Sequence, residues 1–211
     1  MPKDVKRRED FAYVKNPRDF FYVNVPILFF DVVGFTRNTT NEAMRKCIRN
    51  IEDSMRDILF EDYNWNERNR SNQLILVPTG DGYAVAFESD MSLSKVLDLS
   101  VILYKRIISN SDRFQLRFGM AKGPCMVHQD LNEKNNIFGY GINMASRVMG
   151  IALENQFLVH EELASELLRT QEYPRLHKID KTYSIKHGES IKVFNFYEEG
   201  PNGFGNLNDP E

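Results

Sequence analysis

Two aspartates stand where apolar runs stop. Asp31 closes the run Pro26-Ile27-Leu28-Phe29-Phe30, and Asp81 lies in the turn Thr79-Gly80-Asp81-Gly82 between two further apolar stretches. A carboxylate at the end of a buried strand is held rigidly, and two of them can converge on a hard cation through oxygen ligands. Taken singly, each has a plainer reading: Asp81 shapes an Asp-Gly hairpin turn and Asp31 ends a strand. A second pair, Asn143 and Arg147, is spaced i, i+4, so on a helix both side chains leave from one face. In isolation such a pair is more often a solvated polar face.

The elements that must position these groups are legible in the apolar periodicity. Residues 23–33 read as a buried strand carrying Asp31. Thr39-Thr40-Asn41-Glu42 offers a capping box for a helix whose stripe is Met44, Cys47, Ile48, Ile51, Met55, Ile58 and Leu59. Residues 74–77 and 83–87 form a hairpin around Asp81, and 93–108 a second apolar-faced helix. Phe114, Leu116 and Phe118 alternate with Gln115, Arg117 and Gly119 as a half-buried strand does. A third helix over 141–152 carries Asn143 and Arg147. Strand, helix, hairpin, helix, strand predicts an α+β fold, a ferredoxin-like split βαββαβ sheet with helices on one face.

Composition narrows the function class. The 211 residues suit one domain, with a net charge of −3, 42% hydrophobic and 12% aromatic residues. The basic excess of a nucleic-acid binder is missing. No run approaches the roughly 18 apolar residues that span a bilayer, and the charged start lacks a signal peptide's apolar stretch. A cytoplasmic protein with no direct membrane association is expected. Cys47 and Cys125 sit in apolar contexts without a CxxC pattern and read as buried thiols. The four histidines, His128, His160, His177 and His187, share no ligand spacing and read as surface or satisfied structural residues. Residues 1–20 read as a loosely ordered N-terminal segment, 21–199 as one folded domain and 200–211 as a flexible tail.

Four segments together carry a resemblance. Phe29-Phe30-Asp31-Val32-Val33-Gly34-Phe35-Thr36, Thr79-Gly80-Asp81-Gly82-Tyr83-Ala84-Val85-Ala86-Phe87, Leu116-Arg117-Phe118-Gly119-Met120-Ala121-Lys122-Gly123 and Phe138-Gly139-Tyr140-Gly141-Ile142-Asn143-Met144-Ala145-Ser146-Arg147 follow in this order. In order and separation they resemble the catalytic domain of the class III nucleotidyl cyclases, from about Val23 to Glu198. The family adds strands and a helix after the core, here about 157–197.

The resemblance implies a reaction in which the ribose 3′-oxygen attacks the α-phosphate of its own triphosphate and pyrophosphate leaves. Asp31 and Asp81, with the Val32 carbonyl, are then the ligands of two divalent ions, Mg²⁺ or Mn²⁺. Gly34, Phe35 and Thr36 lie between strand and helix, where backbone N–H groups meet phosphate oxygens. Arg117 and, in a looser alignment, Lys186 match triphosphate-binding positions. The family's asparagine orients the sugar and its arginine stabilises the pentavalent transition state, which assigns Asn143 and Arg147. Because the aspartates come from one subunit and the Asn/Arg pair from the other, a homodimer with shared sites is implied.

Base selection departs from the family. Adenylate cyclases place a lysine, and guanylate cyclases a glutamate, four residues before the second metal aspartate. A second selecting residue, acidic or hydroxyl in the former and cysteine in the latter, comes seven before the helix asparagine. Val77 and Asn136 occupy these positions, and valine cannot hydrogen-bond a base. With the catalytic set intact, a different base follows: a pyrimidine, as in the stand-alone bacterial cyclases of anti-phage (Pycsar) signalling, which produce cyclic UMP or cyclic CMP as a second messenger. Arg45 or Arg49, on the first helix, is the candidate to fill the space a smaller base leaves; its donors suit the carbonyls of uracil, so UTP is expected ahead of CTP. The competing readings are an adenylate or guanylate cyclase with an atypical pocket, and a catalytically idle nucleotide-binding module.

Overall fold

A computed structural model describes residues 6–7, 20–36, 40–62, 74–88, 91–110, 114–169, 176–185, 188–198, 205–206, 208 and 210. Nine strands, β1 (Lys6–Arg7), β2 (Phe21–Val32), β3 (Leu74–Pro78), β4 (Gly82–Phe87), β5 (Leu116–Gln129), β6 (Asn135–Gly139), β7 (Gln156–His160), β8 (Leu176–Ser184) and β9 (Ser190–Phe196), form one sheet. Its order is β3-β4-β2-β5-β7-β9-β8, with β1 paired to β2 and β6 to β5. Among the described residues the helices are α1 (Asn41–Arg56), prolonged by a π-helical turn at Asp57–Asp62, α2 (Leu93–Asn110), α3 (Tyr140–Ile151) and α4 (Glu161–Arg169).

Strand β2 is the spine. It pairs antiparallel with β5 along its whole length and with β4 from Ile27 to Asp31. Leu28, Phe30 and Val32 enter one core with Cys47, Ile51 and Met55 of α1, Val96, Leu99 and Leu103 of α2, and Leu163 and Leu167 of α4. Val23, Val25 and Ile27 enter a second core with Met144, Ala145 and Val148 of α3. Successive strand residues point to opposite faces, so two cores of alternating membership mean that both faces are covered. Pro26, which has no N–H, falls between the stretches paired with β1 and with β4, where one edge of β2 has no strand partner among the described residues.

The mixed α+β class and the split sheet are as expected, but the helices do not share a face: α3 lies opposite α1, α2 and α4. Gly119 on β5 makes room for it. A Cβ there would stand 2.1 Å from the Met149 nitrogen and 2.6 Å from the Ala145 carbonyl oxygen, both α3 backbone.

Three local expectations change. The cap of α1 is Thr40, whose hydroxyl accepts from the Ala43 N–H at 3.2 Å, and Glu42 accepts from Arg45, while Thr39 of the expected capping box lies outside the described residues. The described tail residues are anchored: Gln156, Asn195 and Tyr183, all buried, donate to the carbonyls of Asn208 (2.6 Å), Asn206 (2.7 Å) and Pro210 (3.1 Å) respectively. His160 is buried with no hydrogen-bond partner at Nδ1 among the described residues, and burial pushes its pKa down, favouring the neutral ring. Cys47 and Cys125 are buried free thiols. No helix among the described residues is long and apolar enough to cross a membrane. Of the N-terminal segment only Lys6, Arg7 and Phe20 are described.

Candidate active site

Asp31 comes one residue before the end of β2, and the register sets it between Gly82 of β4 and Arg117 of β5. Arg117 Nε and Nη2 donate to Oδ1 and Oδ2 of Asp31 at 2.7 and 2.9 Å. Asp31 is only 13% exposed, so this bidentate grip neutralises a charge with little access to water. The Asp31 hydrogen bonds raise the Arg117 pKa further, and its guanidinium stays charged.

Asp81 sits in the turn between β3 and β4. Its carbonyl accepts from the Val32 N–H at 3.2 Å, and the Val33 N–H donates to Gln115 at 2.8 Å, which ties the turn and the end of β2 together. Burial raises the Asp81 carboxyl pKa; its own backbone N–H lowers it, the Asp31 charge raises it and Arg117 lowers it. The two carboxylates therefore feel one another, with Arg117 as counter-charge. Cys47 of α1 is pushed up to about 11, by burial first and by Asp81 second.

Among the described residues no group of three or more His, Cys, Asp and Glu side chains is gathered around one point. The donors are two interacting carboxylates and backbone carbonyl oxygen. A cation that takes one or two protein carboxylates and completes its shell from phosphates and water, as Mg²⁺ does, fits that set.

The loop after β2 turns at Gly34, whose φ of +64° is a left-handed conformation, while the space around its missing Cβ is open. Phe35 packs on the main core and Thr36 is exposed. With the Val32 and Val33 N–H groups already bonded, backbone donors for a phosphate come from residues 34–36 and the start of α1.

The Asn/Arg pair occupies a different place. Asn143, Arg147 and Gly150, spaced i, i+4, i+7 on α3, line a cleft of about 620 Å³ with Ser146, Ser184 and Ile185. Neither Asp31 nor Asp81 lines it. The Arg147 Nη1 donates to Glu189, a partner that no sequence spacing announces. Arg117 links the two regions loosely, its Nη1 lying 3.5 Å from the Gly150 carbonyl oxygen.

The base-selecting candidates divide. Val77 is half-buried against the second core, and the sheet curls so that β6, which carries Asn136, runs against β3. Asn136 Oδ1 accepts from the Ile137 N–H at 2.7 Å. Arg45 is bound to Glu42 at 2.7 and 2.8 Å, and Arg49 is exposed. Both stand on α1, across the sheet from Val77, so within one chain neither closes a pocket around it. Lys186 lies outside the described residues.

The profile of the adenylate and guanylate cyclase catalytic domain matches residues 21–196. A Streptomyces coelicolor adenylate cyclase is 25% identical over 174 residues, 80% of this chain. The match spans 41% of that enzyme's length. Among solved structures, the adenylyl cyclase CyaB from P. aeruginosa superposes with a TM-score of 0.68 at 16% identity, covering 87% of this chain and 98% of that one. The guanylate cyclase domain of RhGC from Catenaria anguillulae, in complex with GTP, gives 0.63 at 16% identity over 82% and 95%.

Proposed function

The chain belongs to the adenylate and guanylate cyclase catalytic domain family, and on that premise we propose that it cyclises a pyrimidine nucleoside triphosphate, UTP ahead of CTP, to the 3′,5′-cyclic monophosphate and pyrophosphate. The observation that carries the catalytic part is the presence in one chain of two separate half-sites, the interacting Asp31 and Asp81 on one side and the Asn143–Arg147 cleft on the other. A homodimer that brings the first of one copy to the second of its partner assembles two equivalent sites.

In that arrangement Asp31, Asp81 and the Val32 carbonyl hold the divalent ions. When bound, the ions lower the pKa of the 3′-hydroxyl and offset phosphate charge. Residues 34–36 present backbone N–H groups to the triphosphate, Asn143 orients the ribose, and Arg147 meets the negative charge that builds at the α-phosphate. Arg117, released from Asp31, turns to the terminal phosphates.

The pyrimidine assignment rests on Val77 and Asn136. A half-buried valine gives a purine edge no hydrogen-bond partner. Asn136 has committed Oδ1 to the backbone and keeps its amide N–H₂ as a donor, which suits the O4 carbonyl of uracil better than the amino group of cytosine. This donor takes over the role that Arg45 and Arg49 do not fill within the chain. The product would act as a second messenger, in anti-phage defence as in the bacterial pyrimidine cyclases. A purine cyclase with an unusual pocket is the second reading, because the compared proteins are adenylyl and guanylyl cyclases.

The test is incubation of the purified protein with each of the four ribonucleoside triphosphates and Mn²⁺, products being identified by mass spectrometry. Cyclic UMP, or cyclic CMP, as the main product supports the pyrimidine reading. Cyclic AMP or cyclic GMP selects the purine reading, and no cyclic product from any of the four removes both.

A further inference from the structure

We propose that Glu189 is a positioning residue for Arg147, an inference that rests on the cyclase reading of the Asn143–Arg147 cleft. Glu189 closes the turn between β8 and β9. Its carbonyl accepts from the Ile185 N–H at 2.8 Å, directly after Gly188, whose φ is +75°. The main chain of Glu189 is thereby held beside Ile185, which lines the cleft, while Glu189 itself lines the neighbouring pocket with Tyr140 and Met144.

Its carboxylate receives Arg147 Nη1, the one side-chain hydrogen bond of Arg147 among the described residues. A guanidinium carries five donors in a rigid plane, so a carboxylate on one edge leaves the other edge for a phosphate. Arg147 is 23% exposed and Glu189 53%, which puts the guanidinium at the inner end of the pair and the carboxylate toward solvent. Tyr140, two turns back on α3, lines one pocket with Glu162 and Glu189, and its pKa is raised by burial first and by these two carboxylates next, with Arg147 opposing them.

An arginine side chain on a helix loses rotamer freedom when it is held in one arrangement. Glu189 takes that ordering out of the reaction step, so that the free edge of Arg147 is already turned toward the α-phosphate when charge develops there. Glu189 touches neither substrate nor metal in this scheme and acts through Arg147.

The experiment measures steady-state kinetics of wild type, Glu189→Gln and Glu189→Asp with the preferred triphosphate and Mn²⁺. A fall in kcat of about 10- to 100-fold with KM within about threefold, partly recovered in Glu189→Asp, is the expected result. Heterodimers isolated through two affinity tags separate positioning from a general folding defect. Pairing an Asp31→Ala chain with a Glu189→Gln chain leaves one working site, built with the intact Arg147–Glu189 pair, and it should run at the wild-type rate per site. Placing both substitutions in one chain, with wild type as partner, routes the one working site through the unsupported Arg147, and it should be as slow as the Glu189→Gln homodimer.

Unchanged or raised kcat in Glu189→Gln overturns the proposal, as does equal slowing of the two heterodimers. If wild type turns over no nucleotide, the cyclase reading fails and this inference falls with it. Turnover by wild type alongside indifferent Glu189 variants leaves the cyclase reading intact and removes this one.

Discussion

Asp31 and Arg117 face each other across β2 and β5, and the guanidinium takes both oxygens of the carboxylate, at 2.7 and 2.9 Å. The arginine thus holds the place of a cation. A metal ion that claims Asp31 must share or displace it, and the displaced guanidinium becomes available to the triphosphate. One residue can then serve the empty and the loaded site in turn.

Replacing Arg117 by alanine should cost the metal-free protein about 1–3 kcal/mol, because a nearly buried carboxylate loses two charge-assisted hydrogen bonds. Mn²⁺ should return most of the loss by supplying the missing charge. Differential scanning calorimetry with and without metal reads both effects. Identical melting temperatures for wild type and Arg117→Ala without metal would show that the pair adds nothing to stability.

The raised pKa of Asp81 has a definite sign. The fold binds the proton on this carboxyl more readily than the unfolded chain, whose value is 3.8, so the group's stabilising contribution is full below 3.8 and is lost as pH rises through the higher folded value. At neutral pH the ionised side chain is a cost. Asp81→Asn should therefore melt higher than wild type at pH 7 without metal, the advantage vanishing below about pH 4. Saturating Mn²⁺ should raise wild type and leave Asp81→Asn nearly unmoved, and cyclase activity should be lost in the variant. An equal metal shift in both proteins would place the ion elsewhere.

Two separate half-sites predict complementation. Asp31→Ala and Arg147→Ala chains, each inactive alone, should regain about a quarter of wild-type turnover when mixed, since half the dimers are hetero and each has one complete site. Subunit exchange is checked by native mass spectrometry. Exchange without recovered activity would mean that each site lies within one chain.

A pyrimidine pocket should discriminate. With UTP or CTP, kcat/KM should exceed that for ATP or GTP by at least ~100-fold. Asn136→Ala should blur this ratio more than it slows the best substrate, whereas Arg45→Ala and Arg49→Ala, on the far side of the sheet, should leave the ratio unchanged. A shift of base preference in either arginine variant would bring α1, from the same chain or its partner, into the pocket.

Gly119→Ala and Gly150→Ala should act in opposite directions. The first forces a methyl into α3 backbone 2.1 Å away and should cost about 3 kcal/mol together with activity, because α3 carries Asn143 and Arg147. The second adds a methyl where nothing lies within 4 Å and should stabilise the helix by about 0.5–1 kcal/mol. Urea denaturation measures the two.

Much of the candidate site's placement was legible in the chain itself, because its signals are local. Apolar runs that stop at Asp31 and frame Asp81 mark strand ends, and the i, i+4 spacing of Asn143 and Arg147 is a property of helical period alone. Other features depend on which distant segments meet. An apolar stripe shows that α3 is buried but not against which face, and a strand apolar on both faces, as β2 is, accepts helices on either. Asp31 and Arg117 are 86 residues apart, and Arg147 and Glu189 42; strand register made the first contact and a turn folded beside α3 made the second. Arg45 and Arg49 had suitable chemistry, yet the sheet stands between them and Val77. Residue type and spacing determined which groups can do chemistry here, whereas register and face, set by packing over the whole chain, decided which of them meet.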